Sequence, residues 1–222
     1  MFHVKRPDPP PCDVSRETRA RLDAYVALLT RWQARINLVS PRDLAQIWPR
    51  HIADALQLVP LIPPGTPRAI DLGSGAGLPG LVLAIATGIP FDLVESDQRK
   101  AAFLREAARV TAAPVWVHAD RIESVALAPA PLVTARALAP LSRLLDWAHP
   151  LLAPGGICLF PKGRSVDSEL TEATAGWHMQ IGRTPSRTDP SATILRISEV
   201  VPVSPSLRSV ASPPSASKRD AS

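Results

Sequence analysis

The stretch Ala69-Ile-Asp-Leu-Gly-Ser-Gly-Ala-Gly-Leu-Pro-Gly80 decides the fold, because it joins an apolar run to a turn that is rich in glycine. Residues 69–72 suit a buried strand, and glycine permits backbone conformations and close approaches that a side chain would prevent. Residues 81–86 are apolar and predict a helix, so the glycines lie between a strand and a helix N-terminus. In this context the turn indicates a nucleotide-like ligand more than a plain tight turn.

Length and composition favour one main domain of a cytoplasmic protein. The 222 residues fit a single α/β domain with extensions, and the net charge of +5 mildly supports a polyanionic partner. Cys12 and Cys158 lack a nearby cysteine or histidine at metal-ligand spacing, so we expect free thiols and no metal site. No secretion signal and no run of roughly 18 apolar residues is present, so we expect no membrane association.

The chain divides into four segments. Proline-rich composition predicts disordered tails at 1–14 and 202–222, and these flank a helical cap with its linker at 15–66 and the main domain at 67–201. Ser15 can cap the first helix of the cap, and a second helix is predicted to start at Pro41 and to run on to Leu58. His51 and Asp54 share one face of that second helix, and from spacing alone we favour a structural role.

Strands and helices alternate along the main domain. Strands are predicted at 91–95, 115–119, 132–137 and 157–160, and a terminal hairpin is predicted from 177–181 and 193–200. The pattern predicts an α/β fold with a mainly parallel, seven-stranded sheet and helices on both faces. Ligands in such folds bind at the carboxyl ends of the strands. The candidate residues at that edge are Asp71, Gly73, Gly75, Gly77, Leu78, Glu95, Arg121, Ile122, Glu123, Arg136 and Lys162.

Two cofactor classes fit a glycine turn followed by an acid at the end of the next strand. Glu95 lies twenty residues beyond Gly75, where a carboxylate can accept hydrogen bonds from a ribose diol. Dinucleotide sites use G-x-G-x-x-G beside a pyrophosphate, whereas here Asp71 precedes a G-x-G-x-G pattern. An acid at that place suits the cationic amino group of S-adenosylmethionine and is awkward beside a pyrophosphate. We therefore expect the Rossmann-like fold of class I S-adenosylmethionine-dependent methyltransferases.

The chain resembles the ribosomal small-subunit methyltransferase G family (RsmG or GidB) from roughly Leu28 to Val200. One motif is Asp-Leu-Gly-Ser-Gly-Ala-Gly-Leu-Pro-Gly at 71–80, which includes a Leu-Pro-Gly that most methyltransferases lack. The others follow in family order: Asn37-Leu38, His51-Ile-Ala-Asp54, Val94-Glu-Ser96 with Lys100 and Phe103-Leu104, Arg121-Ile-Glu123, Thr134-Ala-Arg-Ala137 and Lys162-Gly163. The chain departs from the family at Ala55, where a serine is common.

The resemblance implies methyl transfer from S-adenosylmethionine to N7 of one guanine in the 530 loop of 16S rRNA. The partner would be 16S rRNA or the 30S subunit, and we expect a monomer. Guanine N7 carries an in-plane lone pair, so the reaction needs no general base, and catalysis would rest on orientation.

Residue roles follow from charge, position and the resemblance. Asp71 would contact the methionine amino group directly or through water, Glu95 would bind the ribose, and Ile122 and Glu123 would border the adenine. Gly73 to Leu78 would line the cofactor. Arg136 and Lys162 are the catalytic candidates, because both only donate and suit RNA phosphate or guanine O6; Arg136 alternatively contacts the cofactor.

Three further residues are candidates for contact with RNA. Arg121 has the same donor chemistry, or instead forms a salt bridge to Glu123 or Asp120. His51 and Asp54 become stronger candidates through the resemblance, because the family's N-terminal helices cap the cofactor cleft.

Other functions remain open at this point. The chain is alternatively a class I methyltransferase for another RNA or a small molecule, or a ribosome-binding module without catalysis.

Overall fold

A seven-stranded sheet forms the centre of the computed structural model, which describes residues 14–203. The strands are β1 (Ala69–Leu72), β2 (Phe91–Val94), β3 (Val115–His118), β4 (Ala130–Ala135), β5 (Leu152–Lys162), β6 (Trp177–Pro185) and β7 (Thr193–Pro202). Their order is β3-β2-β1-β4-β5-β7-β6. The first five strands pair in parallel, and β7 is antiparallel to both β5 and β6. The predicted mainly parallel sheet and terminal hairpin are confirmed.

Within residues 14–203, seven α-helices connect and cover these strands. They are α1 (Arg16–Gln33), α2 (Pro41–Leu44), α3 (Ala53–Leu56), α4 (Gly80–Thr87), α5 (Gln98–Thr111), α6 (Leu141–Ala148) and α7 (Val166–Thr174). A π-helical turn spans Trp48–Ile52, and 3-10 turns span Val59–Leu61 and His149–Leu151. The predicted tails lie almost entirely outside the described residues and stay predictions.

Side-chain caps begin two of the main helices. Ser15 Oγ accepts a hydrogen bond from the Thr18 amide at 3.1 Å, as predicted for the start of α1. Asp97 caps α5 by accepting from the amides of Arg99 and Lys100. The starts of α1 and α5 therefore depend on capping residues that are close in sequence to the amides they bind.

The second helix of the cap differs from the prediction. In place of one helix from Pro41, the chain forms α2, a π-helical turn and α3. Pro49 lies inside the π-helical turn, and proline lacks the amide that a regular α-helix would use there. His51 and Asp54 therefore lie on different short elements, although they remain close in space.

The core occupies both faces of the sheet. One cluster joins the cap to α4 and α5 and includes Tyr25, Leu29 and Phe103, all of which are fully buried. The other lies under α6 and α7 and includes Leu144 and Phe160. Within residues 14–203, no helix combines the length and apolarity that crossing a membrane requires.

Two side chains of α1 attach the cap to the main domain. Tyr25 is fully buried, and its hydroxyl donates to the Ala76 carbonyl of the glycine turn at 2.7 Å. Arg21 donates to the carbonyls of Thr111 and Ala112 at the end of α5, where helix carbonyls lack partners within the helix. The cap is thereby placed directly over the glycine turn.

Candidate functional site

The turn between β1 and α4 depends on its glycines. Gly73, Gly75 and Gly77 have φ values of +63°, +56° and +90°, a region that side chains disfavour. A Cβ atom on Gly77 would come within 2.8 Å of Leu81 Cβ. These glycines let the chain turn tightly at the end of the central strand, and the amides of Ser74, Gly75 and Gly77 are bonded within the protein.

Asp71 lies directly behind this turn. It is fully buried, and its Oδ1 accepts a hydrogen bond from the Thr134 hydroxyl at 2.6 Å. Its Oδ2 has no partner among the described residues. Burial raises the pKa of the Asp71 carboxyl to about 6, although the hydrogen bond from the Thr134 hydroxyl opposes the increase. An unpaired buried acceptor at this place fits an ammonium donor, so contact with the methionine amino group stays a prediction.

Glu95 joins the end of β2 to the glycine turn. Its Oε2 accepts from the Gly75 amide, and its Oε1 accepts from the Asp97 amide, both at 2.8 Å. Each carboxylate oxygen keeps a second lone pair that a ribose hydroxyl can use. The orientation of the carboxylate is therefore held from two sides, but Glu95 lines neither cavity, and its contact with a ribose stays a prediction.

Two cavities adjoin at this edge of the sheet. The turn cavity, about 290 Å³, is lined by residues of the glycine turn and of the cap, with Lys100 and residues 136–138. The outer cavity, about 790 Å³, is lined by Arg50, His51, Asp54, residues 136–140, Lys162 and residues of α7 and the β6–β7 connection. Four residues line both cavities: His51, Arg136, Ala137 and Leu138. These four residues form the boundary between the two cavities.

Arg136 is held firmly at that boundary. Its Nη1 donates to Asp54 Oδ2 at 2.8 Å, and its Nη2 donates to His51 Nδ1 at 2.7 Å. The Arg136 and Asp54 side chains are 17% and 14% exposed, so this pair is shielded from much of the solvent. The structure thus brings Arg136 together with His51 and Asp54, which the sequence selected as a pair without assigning Arg136 as their partner.

His51 is neutral at physiological pH in this arrangement. Burial and then the Arg136 charge lower the pKa of the His51 imidazole to about 4. Because arginine can only donate, His51 Nδ1 is the acceptor and the ring proton lies on Nε2. Nε2 is 3.6 Å from Asp43 Oδ2, and the low pKa means that this contact is not an ion pair.

Lys162 lines the outer cavity but is paired with protein groups. Its Nζ donates to the Ala139 carbonyl at 3.0 Å and lies 2.5 Å from Glu169 Oε2. Glu169 also accepts from the Leu141 amide and the Ser165 hydroxyl. Burial alone would raise the pKa of the Glu169 carboxyl, but the bonds from Lys162 and Ser165 outweigh it and lower that pKa. Contact between Lys162 and RNA stays a prediction.

Arg121, Ile122 and Glu123 do not line either cavity. Ile122 packs against the core cluster under α6 and α7. The Glu123 carboxylate is 3.3 Å from Arg143, a partner that differs from the Arg121 salt bridge considered from the sequence. Adenine contacts by Ile122 and Glu123, and RNA contact by Arg121, therefore stay predictions without support from the cavity geometry.

Sequence reasoning missed several polar residues that shape the site. Thr134 supports Asp71, Tyr25 holds the glycine turn, Glu169 pairs with Lys162, and Gln57 binds Asp54. Of these residues, Thr134 is the one that a sheet topology would have indicated. It lies beside Asp71 in the pairing of β1 with β4, so the strand order places the two side chains together.

The sheet order, the glycine turn after β1 and the acid after β2 define a class I S-adenosylmethionine-dependent methyltransferase fold. Solved structures agree on the fold. The glycopeptide N-methyltransferase MtfA with bound S-adenosylmethionine superposes with a TM-score of 0.57 at 13% identity, covering 67% of this chain and 93% of that one. TYW2 of M. jannaschii with AdoMet gives 0.55 at 13% identity, covering 77% and 80%.

The sequence profile of the family described as rRNA small subunit methyltransferase G matches residues 18–189. The ribosomal RNA small subunit methyltransferase G of Gluconobacter oxydans is 60% identical over 84% of this chain and 96% of its own length. That of Granulibacter bethesdensis is 56% identical over 90% and 99%. The chain belongs to the rRNA small subunit methyltransferase G family, and it is an S-adenosylmethionine-dependent methyltransferase.

Proposed function

We propose that this enzyme transfers the methyl group of S-adenosylmethionine to N7 of a guanine in the 530 loop of 16S rRNA. The observation that carries the proposal is the pair of adjoining cavities that meet at Arg136. The turn cavity would take the methyl donor, and the outer cavity would take the guanine. Relatives at 56–60% identity are named for methylation of small-subunit rRNA, which supports the choice of substrate.

The chemistry matches the side chains at the boundary. When bound, the cofactor supplies an electrophilic methyl group on a positively charged sulfur. Guanine N7 attacks with its lone pair, so the N7–C bond forms as the C–S bond breaks and no proton is removed. The neutral His51 and the paired Asp54 are consistent with this reaction, since neither is needed as a base.

Arg136 is the residue that we assign to orientation of the guanine. Two of its five N–H groups bind Asp54 and His51, which leaves three donors for guanine O6 or a phosphate. Because its guanidinium is held on one side, the free donors face a restricted set of directions. Orientation of the reacting atoms supplies several kcal/mol in reactions of this kind.

Lys162 has a secondary place in the proposal. One N–H binds the Ala139 carbonyl and another faces Glu169, so a single donor remains for RNA. Its bond to Ala139 also supports the segment that follows Arg136. We therefore assign Lys162 to RNA contact and to support of the outer cavity.

The substrate assignment is tested with purified ribosomal subunits. The full-length chain is incubated with methyl-labelled S-adenosylmethionine and 30S subunits, naked 16S rRNA or 50S subunits. We expect label on 16S rRNA and none on the rRNA of the 50S subunit. Equal labelling of both subunits, or label on protein, would contradict the proposal.

We also propose that the enzyme acts in the cytoplasm as a monomer. Its proposed ribosomal substrate supports that compartment. Light scattering after size exclusion should give about 24 kDa, the order of the 23.8 kDa chain mass, and a stable dimer would contradict this part of the proposal.

A further inference from the structure

Gln57 is a buried polar side chain that the reaction itself does not require. Gln57 is 5% exposed, and it is the C-cap residue of α3. Both the nitrogen and the oxygen of its side-chain amide form hydrogen bonds. Its Nε2 donates to Asp54 Oδ1 at 2.8 Å and contacts the hydroxyls of Ser186 and Thr188 at 3.1 and 3.3 Å. Its Oε1 accepts from the Arg187 amide at 2.8 Å. Gln57 thus binds the cap to a segment about 130 residues away.

That segment is the hairpin tip, residues 186–192 between β6 and β7. Thr188 is its main contact with the site, because the Thr188 hydroxyl donates to Asp54 Oδ1 at 2.7 Å. Thr188, Asp189 and Ala192 also line the outer cavity. The hairpin tip is therefore a wall of the cavity and a partner of Asp54.

Asp54 joins the hairpin tip to Arg136 through its two oxygens. Oδ1 is held by Thr188 and Gln57, and Oδ2 receives the Arg136 guanidinium. Without the two donors at Oδ1, the carboxylate could rotate about its terminal torsion, which is broad for aspartate. Rotation of the Asp54 carboxylate would weaken its hydrogen bond with Arg136 Nη1, and the guanidinium would then no longer be fixed in its present orientation.

We propose that Thr188 and Gln57 are positioning residues that orient Arg136 through Asp54 and so set the rate of methyl transfer. The inference rests on the proposed function of the site. It adds that the hairpin tip, although distant in sequence, belongs to the catalytic arrangement. Thr188 and Gln57 touch neither the cofactor nor the reacting atoms in this proposal.

The test compares Thr188→Val with Thr188→Ser in methylation of 30S subunits. Valine keeps the shape but removes the donor, and we expect kcat to fall about tenfold, because small misplacements of catalytic groups have effects of this size or larger. Serine keeps the hydroxyl and should restore most of the rate. The dissociation constant for S-adenosylmethionine should stay within about twofold in both variants, since Thr188 does not line the turn cavity. Thr30→Val is the matched control, because the Thr30 hydroxyl bonds only to the Val26 carbonyl of its own helix.

A double-mutant cycle separates positioning from simple stabilisation. In an Asp54→Asn background, Thr188→Val should cause little further loss, because the two residues act through one contact. A full tenfold loss added to that of Asp54→Asn would overturn the proposal, as would an unchanged kcat in Thr188→Val.

Two further checks keep the outcomes distinct. If Thr188→Val does not fold, Gln57→Ala replaces it with the same expected loss of kcat and the same cycle. If the wild-type chain fails to methylate 30S subunits, the proposed function fails. If the wild type is active and both variants match it, only the positioning role fails.

Discussion

Arg136 connects parts of the chain that are far apart in sequence. Its partners Asp54 and His51 lie 82 and 85 residues before it. Asp54 accepts from Nη1 and His51 accepts from Nη2, so both terminal nitrogens of the guanidinium are bonded. A strand-end arginine was predictable from the sequence, but its two partners were not. At the residue scale, the central group of the site is the Arg136 guanidinium, and the Asp54 carboxylate and the neutral His51 imidazole fix its orientation.

Replacement of Arg136 by lysine should test that description. A single Nζ cannot bind Asp54 and His51 as the planar guanidinium does. We expect Arg136→Lys to lower kcat by roughly 100-fold, the scale seen when one oriented donor is removed from an active site. Methylation of 30S subunits under saturating substrates gives this value.

The Arg136 prediction has a matched control and a clear counter-result. Arg109→Lys changes an exposed arginine that pairs with Glu106 on α5, and it should leave kcat unchanged. If Arg136→Lys weakens cofactor binding as strongly as it lowers kcat, Arg136 acts mainly on the cofactor, and our assignment to the guanine is wrong.

The raised pKa of Asp71 predicts a pH dependence. Its folded-state pKa of about 6 lies above the ordinary value of 3.8, so the free protein takes up a proton as pH falls through 6. If the carboxylate receives the methionine ammonium, affinity for S-adenosylmethionine should decline below pH 6, approaching about tenfold per pH unit. Calorimetric titration between about pH 5 and pH 8 measures the decline.

Asp71→Asn supplies the control for this titration. Asparagine does not ionise, so the variant should bind weakly and show no decline near pH 6. The same linkage predicts that the ionised Asp71 destabilises the free protein at neutral pH by about 3 kcal/mol, because burial raises its folded-state pKa to about 6 from the ordinary 3.8. An affinity that is equally strong at pH 5 and pH 7.5 in the wild type would argue against an ionised Asp71 as ligand.

At the scale of elements, the glycine turn brings α4 against β1. Gly80 begins α4, and a Cβ atom there would lie 2.5 Å from Asp71 Cβ and 2.7 Å from Leu93 Cδ2. Helix and strand can therefore approach only because this residue has no side chain. The Leu-Pro-Gly of the sequence motif thus has a packing reason at its last position.

Gly80→Ala should therefore destabilise the protein. Overpacking of a buried contact typically costs about 1–3 kcal/mol, and we expect a loss of that order in urea unfolding. Gly176→Ala is the control, since its added Cβ would meet no atom within 4 Å. Equal unfolding midpoints for the two variants would show that α4 can shift away from β1 without penalty.

The predicted elements succeeded where local chemistry determines them. The glycine turn and the Ser15 cap depend on residues within a few positions of each other, and the two strands of the terminal hairpin follow each other directly in the sequence. Prediction was less accurate for β5, which was expected at 157–160 and spans Leu152–Lys162, including Gly155 and Gly156. An irregularity in its pairing with β4 accommodates those glycines, and this depends on the neighbouring strand.

At the scale of the whole molecule, the functional edge of the sheet collects residues from almost every segment. Their placement at that edge followed from the alternation of strands and helices. Which of them contact each other did not, because pairs such as Lys162 with Glu169 and Asp54 with Thr188 depend on side-chain directions after folding. Arg121, Ile122 and Glu123 show the same limit, since they follow a strand at that edge and yet line neither cavity.

The most direct test of the account is the identity of the methylated atom. 16S rRNA from 30S subunits treated with the enzyme and S-adenosylmethionine is reduced and cleaved with aniline, which breaks the chain at N7-methylguanine, and the break is mapped by primer extension. We predict one new break, in the 530 loop, that appears roughly 100-fold more slowly when Arg136→Lys replaces the wild type. A methyl group on another atom, or a break outside the 530 loop, would contradict the account.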